Sequence, residues 1–319
     1  MTTTDFIHVR VHSAYSLTEG AIKVVEDKPK DGSAPLRKDL IKLCTSAHMP
    51  AVALTDKGNL FGALEFALAA AGAGVQPIIG CQIAVLRTEQ AGLKTLTRDN
   101  LDQLVLLVQN ELGYRNLSAL VTRSFIAEDR PYPYVTQDEL EQRTGGLIAL
   151  TAGTDGALGH LMLAGQMSAA ETALDYLRKL FPDRLYIEIT RHHGGVVGQS
   201  EAKIEADLID LAYRHNVPLV ATNDVYFGDE GMYAAHDALL CIANKTVIAE
   251  QNRRRLTRDH RFKTAAEMRA LFADLPEACD NTVTIAKRCA YMPPARKPIL
   301  PTFTTEAGRN EADELRAQA

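Results

Sequence analysis

The sequence has no tryptophan and only 6% aromatic residues, so aliphatic side chains must carry its core. No apolar run approaches the roughly 18 residues that a membrane-spanning helix needs. The five cysteines (Cys44, Cys81, Cys241, Cys279, Cys289) are odd in number and include no C-x-x-C pair. That argues against a disulfide frame or zinc finger and for free thiols in a reducing cytoplasm. A basic surplus is also missing: 35 Lys and Arg stand against 40 Asp and Glu, a net charge of −5. A domain that grips duplex DNA by itself displaces counterions with such a surplus, so DNA contact is not expected of this chain alone. The opening Met1-Thr2-Thr3-Thr4-Asp5 has neither a basic n-region nor an apolar h-region, and no secretory signal is expected. G-x-S-x-G, Walker A and G-x-G-x-x-G motifs are lacking, as are repeats and low-complexity tracts.

What is present is a soluble-type composition, 46% apolar and 24% charged over 319 residues. A chain of this length buries about 75% of its unfolded surface and needs no staple. Short β-branched runs at 6–11, 51–54, 76–79, 83–86, 104–108, 147–150, 185–189 and 219–221 read as strands. Between them, Leu40, Leu43, Cys44 and Ala47 form one helical face, and Ile204, Leu208, Leu211 and Ala212 another; 169–180 is a third helix. This alternation predicts a parallel α/β architecture. From about Tyr233 the pattern turns helical, and Pro276 opens a helix over 276–288. Segments 28–35 and 89–100 read as inserted loops, 292–298 as a break, and 304–319 as a polar, frayed tail.

Polar residues follow the strands in a pattern. His12-Ser13, Thr55-Asp56-Lys57, Gly80-Cys81-Gln82, Thr190-Arg191-His192-His193 and Thr222-Asn223-Asp224 each close an apolar run. Asp, Asn and Thr after a strand are also ordinary N-caps for the next helix. Five in succession, two of them with histidine, predict a real or former site at the carboxyl ends of the strands, where the loops of an α/β barrel converge. For a metal-dependent phosphoesterase the set is incomplete. His12, Glu19, His192 and Asp224 are suitable donors, but Arg10, Lys57 and Gln82 stand beside them, and arginine cannot ligate a metal. The Gly145-Gly146 and Gly194-Gly195 pairs read as turns. Arg253-Arg254-Arg255, with Lys245 and Arg258, reads as a solvated surface run in preference to a nucleic-acid contact, and Tyr132 and Tyr134, spaced by Pro131 and Pro133, fit base stacking and rings packed in a rigid loop equally.

Residues 6–13 (Phe-Ile-His-Val-Arg-Val-His-Ser), followed by Tyr15-Ser16-Leu17 and Glu19-Gly20, resemble the opening motif of the PHP (polymerase and histidinol phosphatase) domain family. The version is the one in the alpha subunits of bacterial DNA polymerase III. The resemblance continues through Ala53-Leu54-Thr55-Asp56, Asn59-Leu60-Phe61-Gly62, Pro77-Ile78-Ile79-Gly80, Gly113-Tyr114-Arg115-Asn116-Leu117, Ala221-Thr222-Asn223-Asp224-Val225 and residues 271–278. It covers residues 5 to about 303, and so many motifs in order are specific.

The resemblance implies a distorted (β/α)7 barrel with a helical C-terminal extension, a PHP domain at 1–285 and a linker at 286–319 toward a polymerase palm that this sequence lacks. Pro298-Ile299-Leu300-Pro301-Thr302-Phe303 resembles the family's passage into the palm. It also implies a bacterial cytoplasmic setting and, as partners, the rest of the polymerase alpha chain and the proofreading exonuclease subunit, epsilon. DNA would be met only through the whole enzyme, whose magnesium belongs to the absent palm.

His12, Glu19, His192 and Asp224 match family metal-site positions. Arg10, Lys57, Gln82, Gln103, Gly153 and Tyr226 stand where metal-binding members carry ligands. No metal and no catalytic residue are therefore expected in this stretch. The expected arrangement has Arg10 bridging Glu19 and Asp224 in place of a metal, because buried carboxylates need a cation. The competing readings are a residual zinc- or manganese-dependent 3′–5′ exonuclease or phosphoesterase, and a free-standing protein like histidinol-phosphate phosphatase.

Overall fold

The structure, a computed structural model, describes residues 5–25, 39–88, 96–97, 100–127, 130–294 and 310–319. Its centre is one curled sheet of β1 (Ala51–Leu54), β2 (Gln76–Leu86), β3 (Asp102–Val108), β4 (Val135–Thr136), β5 (Leu147–Leu150), β6 (Leu185–Thr190) and β7 (Leu219–Thr222). The order is β1-β2-β3-β5-β6-β7, with β4 paired to β2. β1, β5, β6 and β7 are buried at every position, as strands covered on both faces must be.

The sheet is mixed, not parallel throughout. β3 runs antiparallel to both β2 and β5, while β1/β2, β5/β6 and β6/β7 are parallel. Gly80–Val85 of β2 pairs with Asp102–Leu107 of β3 in the antiparallel register. The two runs expected at 76–79 and 83–86 are one long strand. It pairs with β1 up to Ile79 and with β3 from Gly80 onward.

The run expected at 6–11 is not a ladder strand, but it closes the ring. Ala53 N donates to His8 O and Thr55 N to Val11 O on one side. On the other, His12 N donates to Val225 O and Val225 N to Arg10 O. The α/β barrel is thus distorted at the seam where residues 8–12 wedge between β1 and the chain after β7.

Helices at Leu40–Ser46, Met167–Leu180, Gly195–His215 and Tyr233–Ala243 fall where the apolar spacing placed them. Gly194 and Gly195 form the left-handed entry to the third of these, and Gly146 is a left-handed turn residue. A side chain on Gly113 would collide with Gly146 O at 1.9 Å. Helix Pro276–Arg288 has its proline in the first turn. It is tied to the barrel: Gln76 Nε2 donates to Ala286 O at 2.7 Å, and Ile7 N donates to Thr282 Oγ1 at 2.9 Å.

The expected frayed tail contains a helix, Glu311–Gln318, capped by Asn310 and acidic in its first turn as the helix dipole favours. None of its residues is buried. The 28–35 loop, most of 89–100 and residues 295–309 lie outside the described residues. No helix among the described residues is long and apolar enough to cross a membrane.

All five cysteines are free and buried, and burial pushes the Cys44 and Cys289 thiols up to about 12. A thiol needs its thiolate and solvent access to react. Ellman's reagent is therefore expected to find essentially no thiol in the native chain and all five in denaturant.

Candidate functional site

The carboxyl ends of the strands converge as expected, and Arg10 occupies the centre. It is one of the largest fully enclosed side chains, 2% exposed. Its Nη1 donates to Glu188 Oε1 and its Nη2 to Gln82 Oε1, both at 3.0 Å. Nε lies 2.9 Å from Asp224 Oδ1, and Asp155 Oδ2 approaches to 3.7 Å. Burial opposes the guanidinium's charge, but Asp224 and Glu188 outweigh it and hold the pKa above its ordinary value.

Arg10 therefore bridges Asp224 and Glu188, not Asp224 and Glu19. Glu19 has its own cations: Lys57 Nζ at 2.7 Å and Arg254 Nη1 at 2.9 Å, both on Oε2. Burial works to raise the Glu19 carboxyl, yet the two cations hold it down at about 2. Lys57 is shifted down by burial and by Arg254 across the shared carboxylate. Its Nζ also lies 5.3 Å from the Tyr226 ring centroid, within cation–π range. The expected charge compensation is present, divided between a deep unit on Arg10 and a shallower one on Glu19.

His12 Nε2 and Asp224 Oδ1 are 2.8 Å apart, and the His12 ring stacks on Tyr226 at 4.5 Å. Asp224 adopts a left-handed φ of 43°, uncommon without glycine, and this aims its carboxylate back at Arg10 and His12. Burial would raise that carboxyl; Arg10 and His12 instead keep it well below the usual range.

His192 takes no part in the central cluster. Its Nδ1 meets Glu201 Oε1 at 2.7 Å, its Nε2 meets Asn223 O at 2.9 Å, and its ring stacks on His260 at 3.7 Å. Both ring nitrogens are used in holding the loops together. Asp56 likewise accepts from Ser13 N, Ser13 Oγ and Ser16 Oγ, fixing the loop that carries Glu19.

Gln82 Nε2 donates to Gln103 Oε1 at 3.2 Å. Gln103 reaches the site because β3 is reversed, which puts the start of that strand beside the ends of the others. Gly153 has a left-handed φ of 54° and opens the short turn Gly153–Asp155 that brings Asp155 toward Arg10.

Two important residues lay outside the sequence reading. Glu188 is fully buried, accepts from Arg10 and Thr222 Oγ1, and sits inside β6. Its signal was a lone carboxylate within Leu-Tyr-Ile-Glu-Ile, a run otherwise fit for burial on both faces. Arg254 belonged to the run read as solvated. In fact Arg253 grips Asp237 through two 2.6 Å bonds with its side chain 4% exposed, and Arg254 closes on Glu19. Tyr134 lies under the Arg130 guanidinium, which is 4.7 Å from its ring centroid.

The donor set does not suit a metal. His12 and Asp224 are bonded to each other, Glu19 is held by two cations, His192 is saturated, and a guanidinium fills the space between the carboxylates. Among the described residues, no three His, Cys, Asp or Glu side chains are grouped to hold an ion. A pocket of about 90 Å³ beside Arg10 is lined by Asp155, Asp224, Arg254, Arg255 and His260. Thr190 and Glu201, joined by a 2.7 Å hydrogen bond from the hydroxyl, also line it, and these groups can bind a polar ligand.

Residues 8–192 match the family model described as the PHP domain. The DNA polymerase III subunit alpha of Caulobacter vibrioides is 49% identical over 315 residues, covering 98% of this chain and 26% of its own length. The same subunit from Pseudomonas aeruginosa is 36% identical over 319 residues, covering 98% and 25% respectively. The chain thus spans about a quarter of the length of the curated relatives it matches. Among solved structures, an amidohydrolase from Chromobacterium violaceum aligns with a TM-score of 0.42 at 16% identity, over 69% of this chain and 87% of that one. The match from the N-terminal seam into the His192 loop spans more than half of the sequence, and the chain belongs to the PHP domain family.

Proposed function

We propose that this chain is the N-terminal PHP module (1–285, leading through 286–319) of a cytoplasmic bacterial replicative polymerase alpha subunit, and that its own barrel site is a scaffold without catalysis. The likeness to alpha subunits over nearly the whole chain supports the first part. DNA synthesis, its magnesium and contact with DNA then belong to the remainder of the alpha polypeptide.

Arg10 carries the second part. A buried guanidinium joining Glu188, Asp224 and Gln82 ties β2, β6 and the segment after β7 to the N-terminal seam where a metal-dependent hydrolase needs open ligands. A module rigidified in this way supports a neighbouring palm and offers a stable surface to a separate proofreading exonuclease subunit.

Elemental analysis of the dialysed protein is expected to find zinc, manganese and iron each well under one equivalent, with no 3′–5′ degradation of single-stranded DNA. Two or three bound ions with nuclease activity would replace the scaffold reading by the residual exonuclease or phosphoesterase one. Docking is tested separately: the chain and purified epsilon subunit are expected to co-elute in size-exclusion chromatography. Independent elution at micromolar concentration would remove the proofreader from the proposal and leave the metal result standing.

A further inference from the structure

The helix Tyr233–Ala243 and the loop after it form a basic, apolar island on an acidic chain. Residues 233–258 hold five Lys or Arg against two Asp or Glu, whereas the whole chain carries −5. Ile242, Val247 and Ile248 are 71%, 65% and 59% exposed. Exposed aliphatic residues grouped so closely mark interaction surfaces more often than isolated ones do.

The loop is folded and held. Lys245 turns the chain with a φ of 52°, Thr246 N donates to Cys241 O, and Glu250 N donates to Val247 O. Arg253 Nη2 donates to Ile248 O at 3.5 Å and Arg255 Nη2 to Glu250 O at 3.1 Å, so the guanidinium groups flank the apolar residues. Arg253 and Arg254 are committed to Asp237 and Glu19.

We infer that this face docks an acidic amphipathic helix of a partner polypeptide, with the partner's apolar stripe on Ile242, Val247 and Ile248 and its carboxylates toward Lys245 and Arg255. Charge complementarity favours an acidic occupant, and the aliphatic centre suits a helix presenting anchors at i, i+3, i+4 and i+7. Single-stranded nucleic acid suits it less: residues 242–255 contain no aromatic ring for base stacking, and two of the three consecutive arginines are already paired. The inference is independent of the scaffold reading of the barrel site.

The test titrates the full chain against two labelled synthetic helical peptides that share one leucine face, one flanked by Glu and the other by Lys, and against oligothymidylate. The Glu peptide is expected to bind at least about tenfold more tightly than the Lys peptide, and added salt is expected to weaken it. Ile248→Ser and Lys245→Glu are each expected to weaken it by about tenfold, with unchanged thermal melting because both positions are exposed. Val247→Ser gives the same readout if either variant melts early. Equal or absent binding of the two peptides overturns the inference, as does indifference to Ile248→Ser. Displacement of the Glu peptide by oligothymidylate would identify a nucleic-acid surface instead.

Discussion

Arg10→Met is expected to destabilise the chain by about 3–5 kcal/mol at neutral pH, the cost of leaving a buried charge without its partner. Methionine fills a similar volume, so the loss is electrostatic and not a cavity effect. Glu188 is 0% exposed and, among the described residues, keeps only the Thr222 hydroxyl as a side-chain donor, while Asp224 keeps His12. Adding Glu188→Gln to Arg10→Met removes the orphaned charge and is expected to recover most of the loss. Glu188→Gln alone leaves Arg10 with Asp224 and costs less.

Rescue by the second substitution separates this from simple packing damage, because a packing defect at position 10 is not relieved by neutralising Glu188. Urea unfolding of the three variants and wild type at pH 7 gives the comparison. A double variant no more stable than Arg10→Met, or a loss below about 1 kcal/mol in Arg10→Met, would mean that water reaches Glu188 and that Arg10 is not the pin described here.

Most strand runs, the convergence of polar loops and the presence of cations among the site carboxylates were legible, because they depend on local runs and on residue type; the short strand Val135–Thr136 and the fusion of 76–79 with 83–86 were not. Partner assignment inside the site was not. Glu19 and Asp224 look equivalent in sequence, but only the loop geometry fixed by Asp56 with Ser13 and Ser16 shows that Glu19 faces Lys57 and Arg254. Glu188 was hidden because a strand buried on both faces has no polar alternation to mark which side a lone carboxylate takes. The reversal of β3 escaped because periodicity reports burial and not strand direction. Arg253 and Arg254 show the limit of reading charge runs. Three adjacent arginines look solvated until separate elements, the helix bearing Asp237 and the loop bearing Glu19, come up against them.

The chain is expected to lose stability in acid in two separable stages, the first governed by histidine. His8 lies between Phe6, at 5.0 Å, and Phe262, at 4.4 Å, with Nε2 2.7 Å from Lys263 O. Burial lowers its pKa from 6.5 to about 4, so it is neutral when folded. Above pH 6.5 neither state is protonated and His8 contributes no pH dependence. Between pH 6.5 and 4 the unfolded chain binds a proton that the native chain refuses, which removes about 3 kcal/mol. Burial likewise lowers His236 and His260, which adds to the same stage. Glu19 acts later: its carboxyl is held at about 2 against an ordinary 4.5, so its stabilisation is present above pH 4.5 and lost as pH falls toward 2. His8→Phe should therefore flatten the upper stage by about 3 kcal/mol while costing about 1 kcal/mol at pH 7.5 for the lost Lys263 carbonyl bond. Glu19→Gln should flatten only the lower stage. Thermal melts of wild type and both variants across pH 8 to 3 measure this. An upper stage unchanged in His8→Phe would move the acid sensitivity to His236 and His260, which burial also lowers.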